Sequence, residues 1–302
     1  TAFVQYDVKD YYNAKLATRV FLTDSSNFDI GYSKSQSVSL ARDFESGYRV
    51  HDSAIELFQD SSSFLDLNLG SDQDIRSFSF GVDSSERDTF VNRHFSHYGS
   101  ERRLTLSARF QNQISEDTYA VFQYGEIGHD KTQAKRLQEV KIKNSYIGFK
   151  TRYLGASALE VLLGQSESDN ELTSQTSRID SWQVTNQLAL TDYFIVLFSA
   201  GKMIQDSNDV TFSTNDVVTY RFSTSYQPST NWSLNFGLSQ HVRDLTSSIS
   251  AREFSSTMSV DYQILEDWLI SVKLDAKQLK DDRPEFSFDE SSFMLGVSWR
   301  AF

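Results

Sequence analysis

The sequence predicts an all-β fold: a single closed antiparallel β-barrel of about sixteen strands, crossing a membrane as one domain over residues 1–302. Three observations predict it. Apolar and polar residues alternate with period two over unusually long runs. The spacers between those runs alternate short and long. Aromatic residues gather beside the short spacers.

The alternation is clearest toward the C-terminus. Trp232, Leu234, Phe236 and Leu238 alternate with Ser233, Asn235, Gly237 and Ser239. Phe254, Met258, Val260, Tyr262 and Ile264 share one face of the next run, and Ser255, Thr257, Ser259, Asp261 and Gln263 the other. Trp268, Ile270, Val272 and Leu274 repeat the pattern against Leu269, Ser271, Lys273, Asp275 and Lys277, as do Val218, Tyr220, Phe222 and Tyr226 against Thr219, Arg221, Ser223 and Ser225. Period two means a strand with one apolar and one polar face. A tilted strand needs about 9–11 residues to cross a bilayer, whereas soluble strands run to about five or six.

In order, the predicted strands are 2–8, 14–23, 27–40, 53–69, 73–83, 101–114, 118–127, 139–153, 156–165, 178–190, 193–204, 216–226, 232–243, 252–264, 268–278 and 291–302. The first 80 residues alternate least cleanly, and fourteen or eighteen strands are also compatible with the rhythm. Short spacers, such as Thr191–Asp192, Gln227–Asn231 and Leu265–Asp267, take turns with long ones, such as Ser166–Ser177 and Leu279–Glu290; Ser84–Ser100 is the longest. An even count puts Thr1 and Phe302 on the side of the short turns. Tyr226 and Trp232 bracket one short turn, and Tyr262 and Trp268 the next. Amphipathic rings favour the membrane–water boundary. Phe254, Phe293 and Trp182 are candidates for a second girdle at the other boundary.

Composition removes the competing classes. A mean hydropathy of -0.44 hides the apolar residues of a barrel, because they occupy alternate positions. No apolar run approaches the length of a spanning helix. Twenty-three Phe, 14 Tyr and 4 Trp are too many for a disordered chain. Two prolines in 302 residues suit a chain made of long paired strands. The absence of cysteine excludes disulfides and thiolate metal sites, and a net charge of -12 argues against nucleic acid as a partner. Thr1 opens almost directly on an alternating segment without a signal peptide, as in a mature chain or the C-terminal part of a longer protein.

The final segment, Phe293-Met294-Leu295-Gly296-Val297-Ser298-Trp299-Arg300-Ala301-Phe302, resembles the last strand of bacterial outer-membrane β-barrel proteins of the porin-like kind. In that family a terminal aromatic closes an alternating strand and is read by the barrel-insertion machinery. Phe302 matches that position but stands one residue out of phase with Phe293, Leu295, Val297 and Trp299, which a late bulge would correct. The resemblance implies an outer-membrane location, outer-membrane lipid and lipopolysaccharide as partners, periplasmic short turns and extracellular long loops. The Ser/Asp/Gln-rich loops are also similar to those of barrels that accompany exopolysaccharide export, which would imply passage of a polysaccharide and periplasmic export partners.

The expected function is therefore an outer-membrane channel for a hydrophilic solute or polymer. The alternatives are a general diffusion porin, or a plugged, non-conducting barrel with an enzymatic or structural surface role. Arg103, Arg109, Glu139, Lys141, Lys143, Arg221, Asp261, Lys273, Asp275 and Lys277 are expected on the inward face, lining the lumen. A charge facing lipid would cost roughly 2–4 kcal/mol at the midplane. These charges either touch the solute or form a salt-bridge network between strands. The connector Ser84–Ser100, with Arg87, Arg93, His94 and His97, is a candidate constriction loop; it either stands outside as a flap or folds against the inner wall. No cofactor or metal is expected: His94 and His97 lack an identifiable third ligand. No Gly-x-Ser-x-Gly motif occurs, and no serine stands beside an evident base, so no catalytic residue is assigned.

Overall fold

The computed structural model describes residues 2–23, 26–44, 55–71, 76–91, 96–133, 136–170, 175–206, 214–246, 249–265, 268–282 and 287–299. Among them are fifteen strands and no helix: β1 (Ala2–Thr23), β2 (Ser26–Phe44), β3 (Ile55–Ser71), β4 (Arg76–Val91), β5 (Ser96–Ser115), β6 (Thr118–Gln133), β7 (Arg136–Tyr153), β8 (Ser157–Asn170), β9 (Gln175–Thr191), β10 (Phe194–Asp206), β11 (Thr214–Ser229), β12 (Trp232–Thr246), β13 (Ile249–Leu265), β14 (Trp268–Asp281) and β15 (Phe288–Trp299). Each strand is hydrogen-bonded to its sequence neighbours, in the order β1 to β15.

Fifteen replaces sixteen because the first two expected strands are one. β1 runs unbroken through the polar stretch Lys9-Asp10, which looks like a turn in sequence. Its register against β2 shifts between Val8 and Tyr12, so Lys9, Asp10 and Tyr11 together oppose Ser37. A bulge absorbs extra residues without ending a strand. The parity changes with the count. β1 starts opposite Phe44, beside a long connector, whereas β15 ends with Trp299 opposite Trp268, beside a short turn.

The expected long loop 84–100 is corrected too. β4 continues to Val91 and β5 begins at Ser96, with an antiparallel ladder from Ser84 opposite Leu104 to Val91 opposite Ser96. Arg87 is a strand residue opposite Glu101, and His97 is one opposite Phe90; Arg93 and His94 lie outside the described residues. The segment reads as a loop because both of its faces are polar. Beyond a bilayer both faces of a strand meet water, so alternation disappears while pairing continues. The strands, at 12–22 residues, are longer than the crossing requires.

Contacts group the chain into two units. The first comprises Thr1–Asn112, Phe122–Ser145 and Glu167–Arg178. Its apolar face is built of lateral rows: Leu16, Tyr32, Leu65, Val82 and Leu106 form one, and Val20, Phe28, Leu69, Phe78 and Phe110 another. Higher on the same face the row is Gln36, Ser61, Glu86 and Arg102, where Arg102 Nε donates to Glu86 Oε1 at 2.8 Å.

The second unit comprises Gln113–Val121, Tyr146–Ser166 and Ile179–Phe302. Its rows include Tyr226, Leu234, Val260, Val272 and Leu295, then Thr224, Phe236, Met258, Leu274 and Phe293. From Trp299 to Phe293 four apolar residues at alternate positions span about 20 Å, close to the roughly 25 Å band of a membrane barrel. None of Trp232, Leu234, Phe236, Val260, Tyr262, Ile270, Val272 or Leu274 is buried. A soluble fold would have closed a core over them. The three-residue turn between β7 and β8 has Leu154 at φ 46° and Gly155 at φ 71°, both in the left-handed region that tight hairpin turns use.

Candidate functional site: the polar face of the sheet

Because directly paired residues share a face, the ladder registers assemble the polar face row by row. On β11 to β15 one row is Arg221, Ser239, Ser255, Lys277 and Glu290. The next is Thr219, His241, Glu253, Leu279 and Phe288. Arg243 follows on β12. With Glu290 opposite Lys277 at one side, alternation thus brings four basic side chains, Arg221, His241, Arg243 and Lys277, around a central carboxylate.

Glu253 is that carboxylate, and it bridges two of the cations. Arg243 Nη2 donates to its Oε2 at 3.2 Å, and Lys277 Nζ lies 3.2 Å from its Oε1. The Lys277 ammonium also sits 5.7 Å from the centre of the Phe288 ring, within cation–π range. His241 Nδ1 and Thr219 Oγ1 are 3.1 Å apart, and Ser239 and Ser255 share a hydroxyl hydrogen bond of 2.7 Å. Arg221 is exposed and makes no ion pair among the described residues. Toward the short turns the face becomes milder. Lys273 Nζ lies 2.9 Å from Asp275 Oδ2, Asn235 Nδ2 donates to Ser233 at 3.2 Å, and Asp261 lies between Ser233 and Ser271.

Arg221, Asp261, Lys273, Asp275 and Lys277 therefore stand on the polar face as the alternation predicts. Glu253, His241 and Arg243 were absent from that expectation. Continuing the polar parity from Ser255 back to Glu253, and from Ser239 on to Arg243, finds them.

The polar face of the first unit is paired differently. Arg19, Asp29, Asn68, Ser79 and Arg109 form one row. Arg19 grips Asp29 in a fork, with bonds of 2.6 and 2.9 Å. Arg109 Nη1 donates to Gln123 Oε1 at 3.0 Å. Arg103 lies opposite Ser85. His129, almost fully buried, has its Nε2 2.8 Å from Glu101 Oε1.

Lys141, Lys143 and Glu139 depart from the expectation. They alternate on β7 with buried Val140 and Ile142, and so occupy the face that carries exposed Ile147 and Phe149 further along the strand. Lys141 pairs with Glu126 at 2.7 Å and Lys143 with Asp169 at 3.7 Å. Both lie on the β7 stretch before the exposed apolar residues. An outward charge there faces water, as Arg102 does on β5. A lumen position for these three is withdrawn.

In the second unit Val121, Tyr146 and Leu162 form a small buried cluster on β6 to β8. Gly148 fits beside it only as glycine: a Cβ there would lie 1.9 Å from the Val161 carbonyl oxygen. This face of β6 to β8 is therefore partly apolar, which the sequence reading did not anticipate. Among the described residues no three His, Asp or Glu side chains converge on a metal position.

No protein-family model and no curated protein matches the sequence. Solved structures do match its fold. The FrpB iron transporter from Neisseria meningitidis superposes with a TM-score of 0.67 at 8% identity, over 96% of this chain and 58% of that chain. The alcaligin outer-membrane receptor FauA from Bordetella pertussis gives 0.54 at 12% identity, over 99% and 64%. The ferric citrate transporter FecA gives 0.51 at 9% identity, over 99% and 63%. The chain thus spans less than two thirds of the length of each of these structures. Its fold is that of the β-barrels of these outer-membrane proteins. These neighbours are named for iron, alcaligin and ferric citrate, so the expected tie to exopolysaccharide export gains no support from them.

Proposed function

We propose that this sheet is the wall of an outer-membrane transport channel for a small, hydrophilic, anionic solute. The apolar face meets lipid, and the polar face lines the passage as part of a closed barrel. Closure follows from the solvent: in hydrocarbon an open sheet edge leaves backbone groups unsatisfied. One observation carries the choice of charge. Arg221, Arg243 and Lys277, with His241, outnumber the nearby carboxylates Glu253 and Glu290, and Arg221 has no ion-pair partner among the described residues. Such a stripe draws anions toward it and holds carboxylates by charge-assisted hydrogen bonds. The neighbours named for iron and ferric citrate make an anionic metal chelate the favoured solute class. Arg103 and Arg109 line the wall in the same way in the first unit. Polysaccharide passage has no specific contact here to recommend it.

The test is ion selectivity of the protein in planar bilayers. The wild type should pass anions in preference to cations, and Arg221→Gln with Lys277→Gln should reduce that preference several-fold. Cation selectivity in the wild type, or selectivity unmoved by the double substitution, would overturn the anionic solute. A chain that inserts but never conducts would favour the plugged alternative.

A further inference from the structure

The apolar face of β13 and β14 carries a pair of cations that the transport reading leaves unused. Arg252 and Lys280 are direct cross-strand partners. Both are exposed, and neither makes an ion pair among the described residues. Like charges placed directly opposite repel each other. The same lateral row runs Lys202, Val218, Val242, Arg252 and Lys280, and Lys202 has Asp216 at 3.8 Å. The next row outward holds Asp216, Asp244 and Asp282. Asp216 serves Lys202, while Asp282 accepts from Ser250 N at 2.7 Å and Ser250 Oγ at 3.1 Å. Among the described residues, Arg252 and Lys280 are left facing outward without an ion-pair partner.

Their height says what could supply one. Two residues from Arg252 on the same face stands Phe254, 45% exposed, followed by exposed Met258; on β14 the same face leads down to Leu274. On their own strands the cations therefore sit about 7 Å beyond Phe254, toward the long connectors. That is headgroup height, with hydrocarbon directly below.

We propose that Arg252 and Lys280 form a docking site for lipid A, binding the phosphates of lipopolysaccharide while Phe254 and Met258 contact its acyl chains. Free phosphate would satisfy the charges but would have no use for the apolar surface beneath them. The inference rests on the reading that this face meets lipid, and it adds the residues that would hold lipid A and the groups of lipid A that they would take.

The test reconstitutes the protein in phospholipid vesicles, adds bisphosphorylated lipid A, and measures the lipid A retained after affinity capture. An arginine or lysine near an anionic lipid surface is worth about fivefold in binding. Arg252→Gln with Lys280→Gln should thus lower retention roughly 25-fold, and Arg252→Lys with Lys280→Arg should keep it. Dephosphorylated lipid A should bind the wild type as weakly as lipid A binds the double glutamine variant. Equal retention by wild type and that variant would overturn the proposal. So would equal binding of dephosphorylated lipid A, or displacement by millimolar inorganic phosphate. Vesicle flotation without lipid A separates the two readings: a protein that fails to insert refutes the lipid-facing surface itself. Heat-dependent gel mobility verifies that each variant is folded.

Discussion

The rings of Trp232 and Tyr262 lie 4.4 Å apart, centre to centre, across β12 and β13 beside a short turn. Phe194 and Tyr226 meet edge to face at 5.6 Å on the same side. These pairs mark the boundary of the apolar face with rings that are apolar below and polar at the rim. An aromatic pair contributes about 0.5–1.5 kcal/mol beyond its buried area. A double-mutant cycle of Trp232→Ala and Tyr262→Ala, followed by denaturant unfolding from bilayers, should give a coupling in that range. A coupling near zero would mean that the rings merely share a boundary.

The two faces should differ sharply in their tolerance of charge. Val272→Arg on the apolar face should destabilise the inserted protein by about 2–4 kcal/mol, whereas Ser271→Arg, one residue away on the polar face, should cost less than about 1 kcal/mol. Equal costs would reverse or abolish the assignment of faces. The comparison is strict because the two positions lie at nearly the same depth on β14.

Glu253 should act as a brake on anion binding. Glu253→Gln leaves Arg243 and Lys277 unneutralised. Anion preference in planar bilayers should therefore rise, by an amount that shrinks as salt increases because exposed charges are screened. A fall in anion preference would show that Glu253 holds the cations in their working positions.

Glycine is required at one position and optional at another. Gly148→Ala places a methyl carbon against the backbone of Val161, which cannot swing aside, so folding yield should collapse. Gly237→Ala meets nothing within 4 Å and should change stability by no more than about 0.5 kcal/mol. Refolding assays of both variants read the contrast directly.

The chain has no cysteine, so single introduced thiols report orientation cleanly. On intact cells a membrane-impermeant maleimide should label Ser287→Cys, beside the long connector after β14, and leave Thr230→Cys, in the turn before β12, unlabelled. The opposite pattern would invert the orientation.

The sequence by itself determined that the chain is all strand, which face of each clear strand is apolar, and where the short turns fall. Period-two alternation is a local property, legible wherever one face meets hydrocarbon and the other water. Trp232, Val260 and Val272 announce their face without any knowledge of their partners. The reading failed where that contrast vanishes. Beyond the apolar band the charged pair Glu86 and Arg102 stands on the face that carries Val82 and Leu106 lower down, so β4 and β5 looked like a loop. At Lys9-Asp10 a bulge imitates a turn, because only the register against Ser37 shows that the ladder resumes. Lys141 and Lys143 were assigned inward on charge alone, although height along the strand decides whether an outward charge is tolerated. Glu253 gathers Arg243 and Lys277 across three strands, and the pairing of Arg252 with Lys280 is equally non-local. Such juxtapositions depend on register, which cross-strand hydrogen bonding fixes between residues far apart in the chain, and only the tertiary structure decided them.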